Sequence, residues 1–235
     1  MTTERDRILT RIREALRVPA VRPGHHGHAH SPAVEGPVST AVAAKHEVGE
    51  WLPLVGPTEE DRLLLFAKQS LELKTEFHLL NSREEMVARV REIAAAEKWA
   101  RYATHRATLT DAVAESLQLP SLRTDEPYRA ADLEQCAAGL TECDVLIAQT
   151  GSVFITSKSA GGRALSVLPP HHIVLARREQ LLPDLPTAFA FVRTKYAPDY
   201  PSFCSVITGP SRTGDIERIL VLGAHGPKRL SVIVY

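Results

Sequence analysis

Two helix-start signatures, each paired with a short apolar run, fix the fold class before anything else is considered. Thr58-Glu59-Glu60-Asp61 is a capping box ahead of a helix predicted to run to about Lys74. Ser82-Arg83-Glu84-Glu85 is a second, opening a helix through about Glu97 with Met86, Val90 and Ile93 on its apolar stripe. Glu76–Leu80 between them suits a strand. The rhythm continues with a strand near Trp99–Thr104, a helix near Leu109–Leu117, a helix over 130–140, and Asp144–Ala148 (DVLIA) as a strand buried on both faces. Helices that alternate with short strands act as crossovers between parallel strands. The expected class is therefore α/β, a mostly parallel sheet flanked by helices. From Thr150 the pattern shifts to short strands at Val153–Thr156, His172–Ala176, Phe203–Thr208 and Leu230–Tyr235. Glycine- and proline-rich turns separate them, with one helix near Leu185–Thr194.

The chain divides into three stretches. Residues 1–18 carry a short amphipathic helix, with Ile8, Leu9, Ile12 and Leu16 on one stripe and arginines mostly off it. Residues 19–50 read as a linker or loop: 19–37 alone hold four Pro, three Gly and four His. The HHGHAH run, His25 to His30, has metal-ligating side chains but nothing to fix them, so it reads as a solvated loop. Residues 51–235 form the α/β domain. The N-terminus has no apolar core of a signal peptide and no run of 18 apolar residues occurs, so a cytoplasmic protein is expected. The 28 basic and 28 acidic residues cancel, which argues against a general nucleic-acid binder. Cys136, Cys143 and Cys204 lack the spacing of zinc or iron–sulfur ligands. No metal site is assigned to this chain.

Three loop segments carry the candidate chemistry. Thr150-Gly151-Ser152 is a small-residue turn where a ligand could approach backbone N–H groups, or simply a turn that uses glycine's dihedral freedom. Ser157–Arg163 (SKSAGGR) could wrap an anion, with Arg163 offering a planar fork to carboxylate or phosphate; an exposed loop is the alternative. It leads to Leu168-Pro169-Pro170-His171-His172, where the prolines aim His171 as a general base, a ligand or a structural hydrogen-bonding residue. The third, Gly209–Glu217, resembles a phosphate loop. Asp215 stands where the lysine of a nucleoside-triphosphatase loop must be, so that assignment fails. Ser211, Arg212 and Thr213 remain as an anion cradle at an expected strand-to-helix junction. His225 lies between glycines just before the last strand.

Taken together, TGSVFITS (150–157), GGRALSVLPPHHIVL (161–175) and ITGPSRTGDIERILVLGAHGP (207–227), in this order and spacing, resemble the lactate-utilization protein C (LutC) family, the LUD-domain group. The resemblance is dense over 145–235 and looser over 60–145. It implies a fold like that of ribose-5-phosphate isomerase, glucosamine-6-phosphate deaminase and the CoA-transferases. It also implies a role in bacterial oxidation of L-lactate to pyruvate beside iron–sulfur partner subunits, with no cofactor in this chain. A catalytic role does not follow from the fold.

Three functions fit these residues. The first is an accessory subunit that binds a small carboxylate or a partner through the loops at 150–163 and 209–215. The second is an independent enzyme on a small carboxylate, sugar phosphate or CoA-linked substrate. There Arg163 and Arg212 would hold the anion, Ser211 and Thr213 would add hydrogen bonds, and His171 or His225 would shuttle a proton. The third is a metal protein using His171, His225 and Asp215. A homo-oligomer is compatible with each of them.

Overall fold

The computed structural model describes residues 10, 11, 13 and 14, and residues 51–235 other than 217, 218 and 224; between 213 and 222 it describes the backbone alone. Of the expected N-terminal helix, only those four residues fall within the description, and they are helical and exposed. The linker and its HHGHAH run lie outside the described residues.

Helix α1 (Glu59–Leu73) starts at the Thr58 capping box: the Thr58 hydroxyl accepts from Asp61 N at 3.0 Å, and Thr58 N donates to Asp61 Oδ2 at 3.1 Å. Strand β1 (Glu76–Leu79) follows, then α2 (Arg83–Ala96). At α2 the box is half made. Ser82 accepts from Glu85 N, but Glu85 Oε2 turns back to Asn81 N. Its buried stripe is Met86, Val90 and Ala94, with Ile93 packed at its margin. The chain continues through β2 (Tyr102–Thr104), α3 (Thr108–Leu117), β3 (Ser121–Arg123), α4 (Ala130–Glu134), β4 (Ala138–Glu142), β5 (Val145–Ile147) and β6 (Ser152–Thr156). After the long crossover 157–170 come β7 (His171–Ala176), β8 (Leu181–Leu182), α5 (Leu185–Tyr196), β9 (Cys204–Ile207), the hairpin β10 (Arg212–Ile216) and β11 (Ile219–Leu222), and β12 (Arg229–Val234).

The expected α/β class holds. A six-stranded sheet runs in the order β1-β12-β7-β4-β2-β3 with every pairing parallel. A second sheet, β8-β5-β6-β9, pairs β5–β6 and β6–β9 antiparallel. One face of the large sheet packs on α2 and α3 through Val90, Val113, Leu140, Ile173 and Ile233. Its other face meets the small sheet and α1 through Val174, Val232, Val153, Ile155 and Phe66. The far face of the small sheet is covered by α5. The layers are thus helix, sheet, sheet, helix. Among the described residues no helix is long and apolar enough to cross a membrane.

Two expectations are corrected. The helix over 130–140 stops at Glu134, and 138–142 is the parallel strand β4, because Ala138, Gly139 and Leu140 are buried between two neighbouring strands. The segment after Gly209 does not enter a helix. Residues 212–216 form β10, because their backbone pairs with β11 instead of with itself.

The crossover 157–170 lies on the large sheet where β4 has no side chain. A Cβ on Gly139 would sit 2.4 Å from the Leu165 carbonyl oxygen and 3.0 Å from Pro169 Cγ. Gly139→Ala should therefore destabilise the fold by about 1–3 kcal/mol in urea unfolding, since the clash is with backbone. An unchanged midpoint would mean that the crossover does not rest on β4.

Candidate functional site

The cavity that gathers the sequence motifs lies between the two sheets, where β9 faces the first residues of β7 and β12. It holds about 170 Å³, below the roughly 300–1,000 Å³ of drug-sized sites and suited to a small molecule. Its inner wall is His172 and Leu230, and Phe203, Ser205 and Ile207 of the β9 segment face them. Ser166 and Val167 of the crossover close one side; the mouth is formed by Gly209-Pro210-Ser211 and His225-Gly226-Pro227. Among the described residues no carboxylate lines it. The two mouth segments are tied by Ser211 N to Pro227 O, 2.9 Å, and Gly223 N to Ser211 O, 2.9 Å.

Two of its hydroxyls are unengaged, while its inner histidine is buried. The hydroxyls of Ser205 and Ser211 have no hydrogen-bond partner among the described residues. His172 is 1% exposed; Nε2 is 2.9 Å from Thr141 Oγ1, and Nδ1 is buried without a partner. Burial pushes its pKa down to about 3, helped by the neighbouring His171, so the ring is a neutral imidazole. Two cationic side chains lie beside lining residues without themselves lining the cavity. The Arg163 guanidinium lies 5.8 Å from the Phe203 ring centroid, and Arg212 packs on Gly209, whose φ of 82° favours glycine.

The other sequence candidates are spread over different tasks. His171 points to the opposite face of the large sheet. Its Nδ1 is 3.1 Å from Glu97 Oε2 and its Nε2 2.8 Å from Ser231 Oγ. The Ser231 hydroxyl donates to Glu76 Oε2 at 2.9 Å, and Arg229 bonds both Glu76 and Glu97. The order hydroxyl, imidazole, carboxylate resembles a nucleophile relay. Ser231 is fully buried, however, and its proton is committed to Glu76, so no substrate can meet it. Burial would raise Glu76 and Glu97, but hydrogen bonds from Arg229 and Ser231 to the first, and from Trp99 and His171 to the second, hold both carboxyls below their usual range. This network ties the strand starts together.

Gly151 faces α1, where a Cβ would come 2.7 Å from Gln69 Cβ; that contact explains the glycine. Ser152 bonds Thr150 Oγ1 and Thr208 Oγ1, each at 2.8 Å. Arg212 spends one donor on Leu73 O at the C-terminal end of α1, 2.9 Å away. Thr213 and Asp215 lie on β10, and their side chains lie outside the described residues. The structure thus gathers Ser211 and His225 at one cavity with Arg163 at its edge, and leaves His171, Thr150, Gly151 and Ser152 elsewhere. Among the described residues no three His, Cys, Asp or Glu side chains converge as a metal site.

Sequence reasoning missed His172, Ser166 and Ser205. Strand alternation was the available signal: in a strand beginning at His171, adjacent histidines must face opposite sides. A larger groove of about 590 Å³ runs outside between α2 and α3, lined by Arg91, Glu92 and Lys98 beside Trp99 and Leu117; none of the three motif segments reaches it. At the carboxyl ends of the parallel strands, where such sheets often bind ligands, Glu142 is occupied: its Oε1 accepts from Leu109 N at 2.6 Å and caps α3.

The LUD-domain profile matches residues 63–235, most of the chain and all three motif segments. The chain belongs to the LUD-domain family. This LUD domain is 36% identical over 114 residues to the lactate utilization protein C of Deinococcus radiodurans, covering 48% of this chain and 53% of that protein. It is 34% identical over 103 residues to that of Bacillus subtilis, covering 43% of each. The matched stretch spans about half the length of these relatives. A crystal structure of a DUF162 family protein from Deinococcus radiodurans superposes with a TM-score of 0.60 at 23% identity, covering 77% of this chain and 99% of that one, which supports the fold.

Because the folded His172 binds its proton only near pH 3 and an unfolded histidine near 6.5, the unfolded state takes up the extra proton between them. The stabilisation is whole above pH 6.5 and is lost as pH falls. His78, His105 and His171, all lowered chiefly by burial, act in the same direction. Urea unfolding at pH 7.5 and 5 should show a loss on the order of 2 kcal/mol from His172 alone. His172→Gln should flatten that dependence; an equally steep wild-type and variant profile would contradict it.

Proposed function

We propose that this LUD domain is the small-carboxylate-binding component of a bacterial lactate-utilization system, acting in the cytoplasm beside iron–sulfur partner subunits that carry the electrons. The observation that carries the reading is the cavity itself. It combines the Ser205 and Ser211 hydroxyls, unpaired among the described residues, with the imidazoles of His172 and His225, has Arg163 packed on its Phe203 wall, and has no carboxylate in its described lining. That is a setting for one small anion with an apolar end, the end facing Leu230, Ile207 and Phe203. The relatives' shared name, lactate utilization protein C, narrows the anion to L-lactate or pyruvate.

The same chemistry favours binding over acid–base catalysis at the inner wall. A group with pKa near 3 is a poor proton acceptor at neutral pH, where a general base works best with a pKa near the ambient value. An independent enzyme on a CoA-linked substrate would have to hold most of that substrate outside the cavity, whose volume is about 170 Å³.

Calorimetric titration of the full chain with L-lactate and with pyruvate should give saturable binding of at least one. Ser211→Ala should weaken it by about tenfold or more if the hydroxyl bonds the carboxylate, a charged hydrogen bond being worth roughly 1.5–3 kcal/mol. No heat with either ligand would reject the reading. The chain should also co-purify with cluster-bearing subunits of its host; unimpaired growth on lactate after deletion of its gene would count against the assignment.

A further inference from the structure

We infer that the groove between α2 and α3 is a self-association surface whose occupant is α2 of a second copy of this chain, seated antiparallel. The groove lies on the helical side of the large sheet, away from the cavity between the two sheets, so the inference stands apart from the carboxylate-binding reading.

Two adjoining hollows of about 590 Å³ and 280 Å³ share Ala88 and Arg91, so the groove is continuous along α2 from Arg83 to Lys98. At the rise of an α-helix that is about 22 Å, room for four turns of another helix. On its α2 wall Glu84, Ala88, Arg91, Ala95 and Lys98 follow one another at steps of four and three, the spacing of a seam against a second helix. All five are exposed. The two alanines let another backbone come close. Leu117 and Leu119 on the α3 side supply apolar cover.

The charges decide which helix fits. Glu84, Arg91, Lys98 and, on α3, Glu115 make no ion pair among the described residues, whereas Glu92 is held by Arg89 at 2.8 Å. Arg91 stands at the middle of the stripe, and Glu115 lines the same hollow. Read from Glu84 to Lys98, the stripe runs acid, alanine, base, alanine, base. Turned end for end about a two-fold axis at Arg91, it sets Lys98 of one copy against Glu84 of the other at both ends, with alanine against alanine between them. Arg91 of each copy then enters the groove beside Glu115 of the other. Each of these unpaired charges meets its opposite, as an isologous surface requires. The pairs sit on an open rim, so they fix partner and register more than affinity, and the dimer is reversible.

Sedimentation velocity of the full chain over a concentration series reads the dimer directly. The wild type should show a concentration-dependent dimer that weakens with added salt. Lys98→Glu and Glu84→Lys each set like charges together at both ends of the seam, and each alone should weaken self-association by roughly tenfold or more. Mixed in equal amounts, the two variants should associate as well as the wild type, because each then meets the opposite charge of the other at both ends. That recovery also shows both variants to be folded. The double variant Lys98→Glu, Glu84→Lys should dimerise like the wild type for the same reason. A wild type that stays monomeric would overturn the inference and leave the groove to another protein. Single variants that dimerise as tightly as the wild type would overturn it by placing the contact on another part of the chain. A mixture and a double variant that both fail to recover the dimer would overturn the antiparallel seating.

Discussion

Strand β7 is the member on which everything else leans. It is buried on both faces and paired on both edges, with β12 on one side and β4 on the other. Alternation along it sends His171, Ile173 and Leu175 to the helical layer and His172, Val174 and Ala176 to the small sheet. Two adjacent histidines are thereby given different chemistry. His171 enters a hydrogen-bonded array of Glu97, Ser231, Glu76 and Arg229 that closes the strand starts. His172 is sealed against the second sheet, with Nε2 engaged by Thr141 and Nδ1 buried. Had the strand begun one residue later in register, these roles would be exchanged.

The helices and parallel strands were legible because their signals are local. The Thr58 box, the apolar stripe of α2 and the DVLIA run each carry their own period and caps. Errors arose where the deciding contact is distant. Residues 138–142 look helical alone, but the sheet claims them because Gly139 lets the crossover approach. The segment from Arg212 to Leu222 pairs with itself as a hairpin, which a glycine-rich loop does not announce. The N-terminus of α3 is capped by Glu142, a residue on another strand, so its start carried no usable cap signal.

The site was legible in part. Ser211 and His225 were marked by unusual small-residue surroundings, and the fold does bring them to one cavity mouth. Gly151 carried the same kind of signal for another reason, the close approach of α1. A glycine reports that something comes near its backbone; it does not say whether that something is a ligand or a helix. His172, Ser166 and Ser205 were invisible because their value depends on which face of a strand or crossover meets the second sheet. The cavity also lies at the amino ends of β7 and β12, away from the carboxyl ends that parallel sheets commonly use. The face-to-face approach of the small sheet creates it there.

The most direct measurement is a crystal structure of the full chain grown with L-lactate or pyruvate. The account predicts density in the inter-sheet cavity, with the ligand carboxylate within hydrogen-bonding distance of the Ser211 hydroxyl. Density seated instead at the carboxyl ends of β2 and β4, beside His105 and Glu142, with the inter-sheet cavity unchanged, would contradict it.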